Sequence, residues 1–259
     1  MIACGVDIGS STSKVVLLSH GEILGYSIVP TGAESVNSAH KALDEVLAST
    51  RLSRKQIGYV VATGYGRVIV PFARETVTEL TCHARGANWL FPSARTILDM
   101  GGQDCKAIRC GPKGQLENFV MNDKCAAGTG RFLELMARVL NLPLDDLGEL
   151  SLEAEKEIKI NSTCAVFAKS EVTSLLREGN DKRDVLAGLH KAISARVYTL
   201  LRGVGLEPDL IITGGIGKNT GVVRMVEKYT GLTALLPEEP QIAGALGAAL
   251  FAREKLITT

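Results

Sequence analysis

The sequence predicts an α/β fold built from two similar halves with a cleft between them. Short apolar runs with strand character alternate with segments of helical periodicity. In addition, one strand–turn–strand–strand unit occurs twice, because residues 7–14 align without a gap on residues 99–106. Asp7, Gly9 and Lys14 correspond in this alignment to Asp99, Gly101 and Lys106. An internal repeat of this kind indicates a duplicated structural unit.

Composition and charge narrow the class of protein. The 259 residues are 46% hydrophobic and 22% charged, as expected for a folded globular chain. The 29 Lys and Arg residues nearly balance the 28 Asp and Glu residues, so no overall field attracts nucleic acid or anionic lipid. No apolar run is long enough to span a bilayer, and Asp7 falls where a signal peptide needs its apolar core. We therefore expect a cytoplasmic protein with neither a nucleic-acid nor a membrane partner.

The first half is predicted to open with three antiparallel strands, at 1–6, 15–19 and 23–29, joined by turns at 9–14 and 20–22. A helix follows, with Val36, Ala39, Leu43, Val46 and Leu47 on one face. A strand near 59–62 and a helix over about 79–90 complete this half.

The second half repeats the opening with strands at 94–99, 105–109 and 116–121. An amphipathic helix is predicted to begin at or just before Gly128-Thr129-Gly130 and to run to Leu140. The segment 144–157 is acidic and is predicted to be irregular; helices follow at about 170–176 and from about Val185 to Leu200. The remaining predicted elements are a buried strand at 209–213, a helix after Gly214-Gly215 and a helix of small residues at 241–250.

The two repeated turns predict a phosphate site. Each joins strands through glycine and small hydroxyl or amide residues beside a carboxylate, so that backbone N–H groups can hold phosphate oxygens and the carboxylate can hold Mg²⁺ through water. Gly128-Thr129-Gly130 could add a third phosphate contact at a helix N-terminus, or that helix start could favour a metal-bound thiolate at Cys125. The plain alternative is an ordinary helix start with a buried cysteine. Gly214-Gly215 and the small residues of the last predicted helix could also contact a nucleotide. Considered one at a time, each is explained more simply by ordinary α/β packing.

Taken together, these features resemble the acetate and sugar kinase, heat-shock ATPase and actin superfamily. Within it, the chain is similar to the ATP-dependent activators of 2-hydroxyacyl-CoA dehydratases and to the ATPase subunits of benzoyl-CoA reductases. The resemblance runs nearly end to end, through the segments 5–14, 62–67, 99–104, 122–132, 162–168 and 213–215. It implies duplicated ribonuclease-H-like halves, one at 1–95 to which the last helix (about 240–259) returns, and one at 96–239 with two cysteine motifs.

The resemblance also implies that Cys125 and Cys164 are ligands of a 4Fe–4S cluster. Such a cluster usually takes four thiolates, and one chain offers two in these motifs. A homodimer with the cluster on its two-fold axis would supply the other two, although a pseudo-symmetric heterodimer would serve equally well. The other four cysteines are expected to be small apolar residues in strands and helices; they are Cys4, Cys82, Cys105 and Cys110.

The same resemblance places ATP or ADP and Mg²⁺ between the two turns. It implies that Asp7 and Asp99 are catalytic, Asp7 through metal-bound water, and that Gln103 or Asp104 orients the attacking water. The implied nucleotide contacts are Gly9, Ser10, Ser11, Thr12, Lys14, Gly101, Gly102, Gln103, Gly128, Thr129, Gly130, Gly214, Gly215, Ile216, Asn219 and Gln241. Lys14 and Lys106 could reach phosphate, but exposure on their strands is the favoured interpretation. Tyr65 and Arg67 match the resemblance without an evident role.

The implied function is an ATP-dependent electron donor. Cys125 is expected to begin the helix that touches the phosphates, so a nucleotide-driven movement would also move the cluster. The electron would come from a ferredoxin or flavodoxin and pass to an iron–sulfur dehydratase or reductase, in an anaerobe. Two alternatives stay open: a small-molecule kinase of the same superfamily without a cluster, and a nucleotide-gated interaction protein with structural cysteines.

Overall fold

The first sheet confirms the strands predicted at the start of the chain. In the computed structural model, which describes residues 1–156, 158–161 and 164–258, this sheet has the order β3-β2-β1-β4-β5. The first three strands are antiparallel, whereas β4 and β5 run parallel to β1. The strands are β1 Ile2–Ile8, β2 Thr12–Ser19, β3 Glu22–Pro30, β4 Ile57–Thr63 and β5 Glu75–Thr76.

The second sheet repeats the first in topology and register. Its order is β8-β7-β6-β9, with β7 antiparallel to both β6 and β8 and with β9 parallel to β6. Its strands are β6 Thr96–Met100, β7 Cys105–Cys110, β8 Leu116–Asn122 and β9 Leu210–Thr213. Asp7 pairs with Lys14 in the first sheet and Asp99 with Lys106 in the second, so the corresponding residues of the repeat occupy equivalent positions.

Eight α-helices complete the described part of the chain, and two of them correct the sequence expectations. They are α1 Ser35–Thr50, α2 Glu79–Leu90, α3 Gly130–Leu140, α4 Leu147–Leu152, α5 Ala165–Arg177, α6 Lys182–Val204, α7 Thr220–Thr230 and α8 Ala243–Thr258.

Helix α4 lies in the segment expected to be irregular, because its buried Leu147 and Ser151 pack it against α6 and α7. Helix α3 begins at Gly130, the last residue of the predicted Gly-Thr-Gly turn, because Gly128 has a left-handed backbone (φ 94°) and Thr129 is extended. Helix α5 begins earlier than expected, directly after Cys164. A short 3₁₀ turn, Gly215–Lys218, separates the double glycine from α7.

The small residues of α8 allow backbone contact on two sides. A β-carbon on Gly5 of β1 would lie 1.9 Å from the carbonyl oxygen of Ala245, and one on Gly86 of α2 would lie 2.0 Å from that of Ala243. Helix α8 therefore packs tightly between α2 and the first sheet, where it covers β1, β2 and β4. Among the described residues, no helix is both long and apolar enough to cross a membrane.

Candidate functional site

A cavity of about 650 Å³ lies between the two sheets, at the ends that carry the repeated turns. The structure brings sixteen of the sequence-predicted residues to its wall: Asp7, Gly9, Ser10, Ser11, Thr12, Lys14, Asp99, Gly101, Gly102, Asp104, Gly130, Gly214, Gly215, Ile216, Asn219 and Gln241.

The two turns have the same internal geometry. The N–H of Gly9 donates to the carbonyl of Thr12 at 3.1 Å, and the N–H of Gly101 donates to that of Asp104 at 3.0 Å. Glycine is required where the turns meet, since a β-carbon on Gly102 would lie 2.1 Å from Oγ of Ser11. The two turns therefore lie against each other at the cavity wall.

Lys14 and Lys106 point into the cleft, which overturns the expectation that they are exposed. Nζ of Lys14 lies 3.2 Å from Oδ2 of Asp7. Nζ of Lys106 lies 2.7 Å from Asp104, 3.1 Å from Glu79 and 3.5 Å from Asp99. Burial alone would lower the pKa of Lys106, but these three carboxylates outweigh it and raise the pKa above the usual value. Lys106 is therefore a permanent cation inside the cleft.

Asp99 is a buried carboxylate that stays ionised. Burial opposes its charge, but His83, Lys106 and the Thr213 hydroxyl together lower its pKa below the usual value. Oγ1 of Thr213 donates to Oδ1 of Asp99 at 3.0 Å, and Nδ1 of His83 lies 3.5 Å from the same oxygen. A negative charge thus persists in the cavity wall beside the two turns.

Sequence reasoning missed two cleft residues on α2. Glu79 and His83 both line the cavity and lie four residues apart, on one face of the helix. The spacing of four residues indicates in the sequence that both side chains share one face of the predicted helix. It does not indicate that this face lines the cleft. Tyr65 also lines the cavity, and burial followed by the charges of Asp104 and Glu79 raises its pKa. The other lining residues that were missed are Met100, Leu133, Glu134, Leu144, Asp145 and Lys218.

Three predicted nucleotide residues do not line the cavity. Gln103 is exposed, and Gly128 and Thr129 are buried behind the start of α3. The hydroxyl of Thr129 donates to the carbonyl of Ala126 at 2.6 Å. The first N–H groups of α3 are already used, since Gly130 donates to Gly101 at 2.9 Å and Arg131 donates to Gly102 at 2.8 Å. The start of α3 therefore holds the second of the two repeated turns in place, and that turn lines the cavity.

The cysteines fall into two groups. Cys4, Cys82, Cys105 and Cys110 are buried, as predicted, and burial raises the pKa of each thiol, to about 12 for Cys4 and Cys82 and about 11 for Cys110. Cys164 is exposed and directly precedes α5, whereas Cys125 is half-buried in the loop between β8 and α3.

The expectation that Cys125 begins α3 is wrong, because residues 126–129 separate it from the helix. The side chain of Asn122 instead holds this loop, donating to the carbonyl of Cys125 at 2.9 Å and to that of Ala127 at 3.3 Å. Within the described part of the chain, no three His, Cys, Asp or Glu side chains are grouped so that they could hold a metal ion.

Related proteins whose names state an activity match the chain over nearly its whole length. An activator of lactoyl-CoA dehydratase from Anaerotignum propionicum is 46% identical over 255 residues, which cover 98% of both chains. A 2-hydroxyisocaproyl-CoA dehydratase activator from Clostridioides difficile is 42% identical over 252 residues, which cover 97% of this chain and 95% of the relative.

Solved structures give the same result. The Acidaminococcus fermentans (R)-2-hydroxyglutaryl-CoA dehydratase component A has a TM-score of 0.96 at 41% identity, with 99% of each chain covered. The C. difficile activator with bound ADPNP has a TM-score of 0.94 at 40% identity, covering 100% of this chain and 98% of the other. A glucokinase from Streptomyces griseus, at 14% identity and a TM-score of 0.60, shares the fold alone.

The fold is therefore that of the actin, heat-shock ATPase and sugar kinase superfamily, as predicted. The BadF/BadG/BcrA/BcrD ATPase family matches residues 4–252. With this match and with relatives above 40% identity, the chain belongs to the BadF/BadG/BcrA/BcrD ATPase family.

Proposed function

We propose that this protein is an ATP-dependent activator that delivers low-potential electrons to a 2-hydroxyacyl-CoA dehydratase or a related iron–sulfur reductase. The relatives named as dehydratase activators support the acceptor class. A further relative from Thauera aromatica, named as part of a benzoyl-CoA reductase, extends that class to reductases. A ferredoxin or flavodoxin would reduce the activator.

ATP is proposed to bind with its phosphates between the two turns. Asp7 and Asp99 would hold Mg²⁺ through water, and Lys14 would compensate phosphate charge. Asp104 is the better candidate to orient the attacking water, because it is buried in the cavity wall whereas Gln103 is exposed. Gly214, Gly215 and Ile216 line the cavity beyond the turns, where adenosine would lie.

The cysteines fit a 4Fe–4S cluster shared by two chains. Cys125 and Cys164 reach the surface, whereas the other four thiols are sealed in the core with raised pKa values that disfavour thiolate. Two accessible thiols per chain give four in a homodimer, and the bound cluster would supply one-electron redox chemistry. Val166 and Phe167, each 68% exposed beside Cys164, are apolar residues that a dimer contact would cover.

The observation that carries the coupling proposal is the pair of hydrogen bonds from Gly130 and Arg131 to the carbonyls of Gly101 and Gly102. Through them, a displacement of the second turn by nucleotide would shift the start of α3. The loop between β8 and that start carries Cys125 and is held by Asn122. A change of nucleotide state would therefore move a cluster ligand.

Anaerobic purification tests the proposal directly. We expect a brown dimer with about four irons per two chains and an ATP-dependent electron transfer to a dehydratase. Cys125→Ala and Cys164→Ala should each lose the cluster and electron transfer but keep nucleotide binding. The matched control is Cys110→Ser, a core position where the thiol faces the carbonyl of Ala94 at 3.5 Å, which should keep its iron.

A colourless monomer with full ATPase activity would contradict the proposal and favour the kinase or the nucleotide-gated alternative. Retention of a full cluster in either of the two alanine variants would show that the ligand assignment is wrong. Iron bound only when a second, paralogous chain is present would replace the homodimer by a heterodimer.

A further inference from the structure

We propose that His83 is a positioning residue that holds the carboxylates of Asp7 and Asp99 in register across the cleft, so that both act on the same bound nucleotide. This inference rests on the proposed function of the cleft and assigns a role to a residue outside both phosphate turns. Asp7 and Asp99 come from different sheets, and the hydrogen bonds that each makes within the described residues do not join one to the other. Helix α2 places the His83 ring beside Asp99 and against Gly244, which also borders Asp7.

The ring lies near both carboxylates. Nδ1 of His83 lies 3.5 Å from Oδ1 of Asp99. Nε2 of His83 and Oδ2 of Asp7 both border Gly244, because a β-carbon there would lie 2.9 Å from the first atom and 3.1 Å from the second. Any larger residue at 244 would therefore press on both the imidazole and Asp7.

At 3.5 Å, Nδ1 of His83 is close to Oδ1 of Asp99 but does not form a hydrogen bond with it. His83 is only 7% exposed, and its Nδ1 is sealed from solvent without a hydrogen-bond partner among the described residues. A buried nitrogen without a partner costs free energy, and a closer approach of Asp99 would satisfy it. Oδ1 of Asp99 already accepts from Thr213 at 3.0 Å, so its second acceptor site is available to the imidazole.

These contacts define what His83 does in the reaction. As the halves close on MgATP, Nδ1–H donates to Asp99 and stops that carboxylate from turning towards Lys106, whose Nζ lies 3.5 Å from the other oxygen. The ring does not touch the phosphates in this role; it acts through Asp99. Misplacement of a catalytic group by a fraction of an ångström lowers the rate of chemistry more than it lowers substrate affinity.

The test compares two variants of the full dimer. His83→Leu keeps the volume and loses the donor, whereas in His83→Asn the amide nitrogen replaces Nδ1. In His83→Leu we expect kcat for ATP hydrolysis to fall at least about tenfold, with KM for MgATP and affinity for MgADP changed less than about twofold. His83→Asn should recover most of kcat. His40→Leu, on α1 against Phe72 and outside the cleft, is the matched control and should match the unaltered protein.

A second measurement does not depend on turnover or on the cluster. Binding of MgADP–aluminium fluoride, which mimics the transferring phosphoryl group, should weaken at least about tenfold in His83→Leu, while MgADP binding and the urea unfolding midpoint stay unchanged. If this loss occurs in a protein without iron, the His83 role stands and the electron-donor function falls. Unchanged analogue binding and kcat in His83→Leu, or an Asn variant as impaired as the Leu variant, would overturn the His83 proposal alone.

Discussion

Gly102 and Ser11 belong to different halves of the chain, yet a β-carbon on Gly102 would lie 2.1 Å from Oγ and 2.8 Å from Cβ of Ser11. The two repeated turns are thus in contact. Gly102→Ala should push them apart and misalign their N–H groups, so we expect MgATP affinity to fall at least about tenfold, measured by calorimetry. The secondary structure should not change.

Gly203→Ala is the control for this substitution. Gly203 lies on α6 far from the turns in sequence, and a β-carbon there would meet Val120 at 3.4 Å, an ordinary contact. It should stabilise the helix by about 0.5–1 kcal/mol and leave MgATP affinity unchanged. Equal affinities for Gly102→Ala and the unaltered protein would show that the turns do not bind nucleotide as a pair.

The repeat explains why so much of this site could be predicted from the sequence. Asp-x-Gly turns are common, but two in register are expected to occupy equivalent ends of two sheets, and the equivalent pairings of Asp7 with Lys14 and Asp99 with Lys106 agree with that. Glu79 and His83 could not be located in the same way, because their role depends on how α2 is packed against α8 through Gly86. The burial of Lys106 depends likewise on a carboxylate that α2 supplies.

Lys106→Met should destabilise the protein by about 3–5 kcal/mol near pH 8, since it leaves Glu79, Asp99 and Asp104 clustered without their cation. Lys106 is one of the groups that hold the pKa of Asp99 below its usual value. This part of the loss is therefore fully present above the unfolded-state pKa and shrinks as the pH falls below about 4. Urea unfolding at pH 8 and at about pH 3.5 measures both effects.

Lys218→Met removes a comparable ion pair at the surface, where Nζ lies 2.7 Å from Glu239. Its effect on the free energy of unfolding should stay below about 1 kcal/mol at either pH. A Lys106 variant that behaves like the Lys218 variant would contradict the buried network.

Asp99→Asn should separate ATP hydrolysis from the proposed cluster binding. The amide keeps the shape of the side chain but loses the charge that Lys106 and Thr213 surround, so ATP hydrolysis should fall at least about 100-fold. Iron content should be unchanged, because the cysteines lie outside the cavity wall. Phosphate release measures ATP hydrolysis, and colorimetric analysis measures the iron content of the same samples. A variant that folds but has lost its iron would contradict the separation of hydrolysis from iron binding.

His190 should make the stability depend on pH. It is buried between α4 and α7; Nδ1 lies 2.8 Å from Oγ of Ser151 and Nε2 lies 3.5 Å from the amide nitrogen of Asn219. Because Ser151 donates to the carbonyl of Gly148 and the amide nitrogen of Asn219 can only donate, the network is satisfied by a neutral ring with its proton on Nδ1. Burial lowers the pKa of His190 from 6.5 to about 4.

The unfolded chain therefore takes up a proton at this histidine near pH 6.5, whereas the folded protein resists until about pH 4. Stability is lost as the pH falls through that window, and His190 alone should account for about 2 kcal/mol between pH 7.5 and pH 5. His190→Asn keeps a donor towards Ser151 but cannot be protonated. Between pH 7.5 and pH 5 its free energy of unfolding should therefore fall by about 2 kcal/mol less than that of the unaltered protein. His20→Asn, at an exposed turn with φ 50°, should keep the full dependence. If urea unfolding gives the same pH dependence for His190→Asn as for the unaltered protein, the histidine is not held neutral in the fold, and the polar link from α6 to Asn219 at the cleft does not form as described.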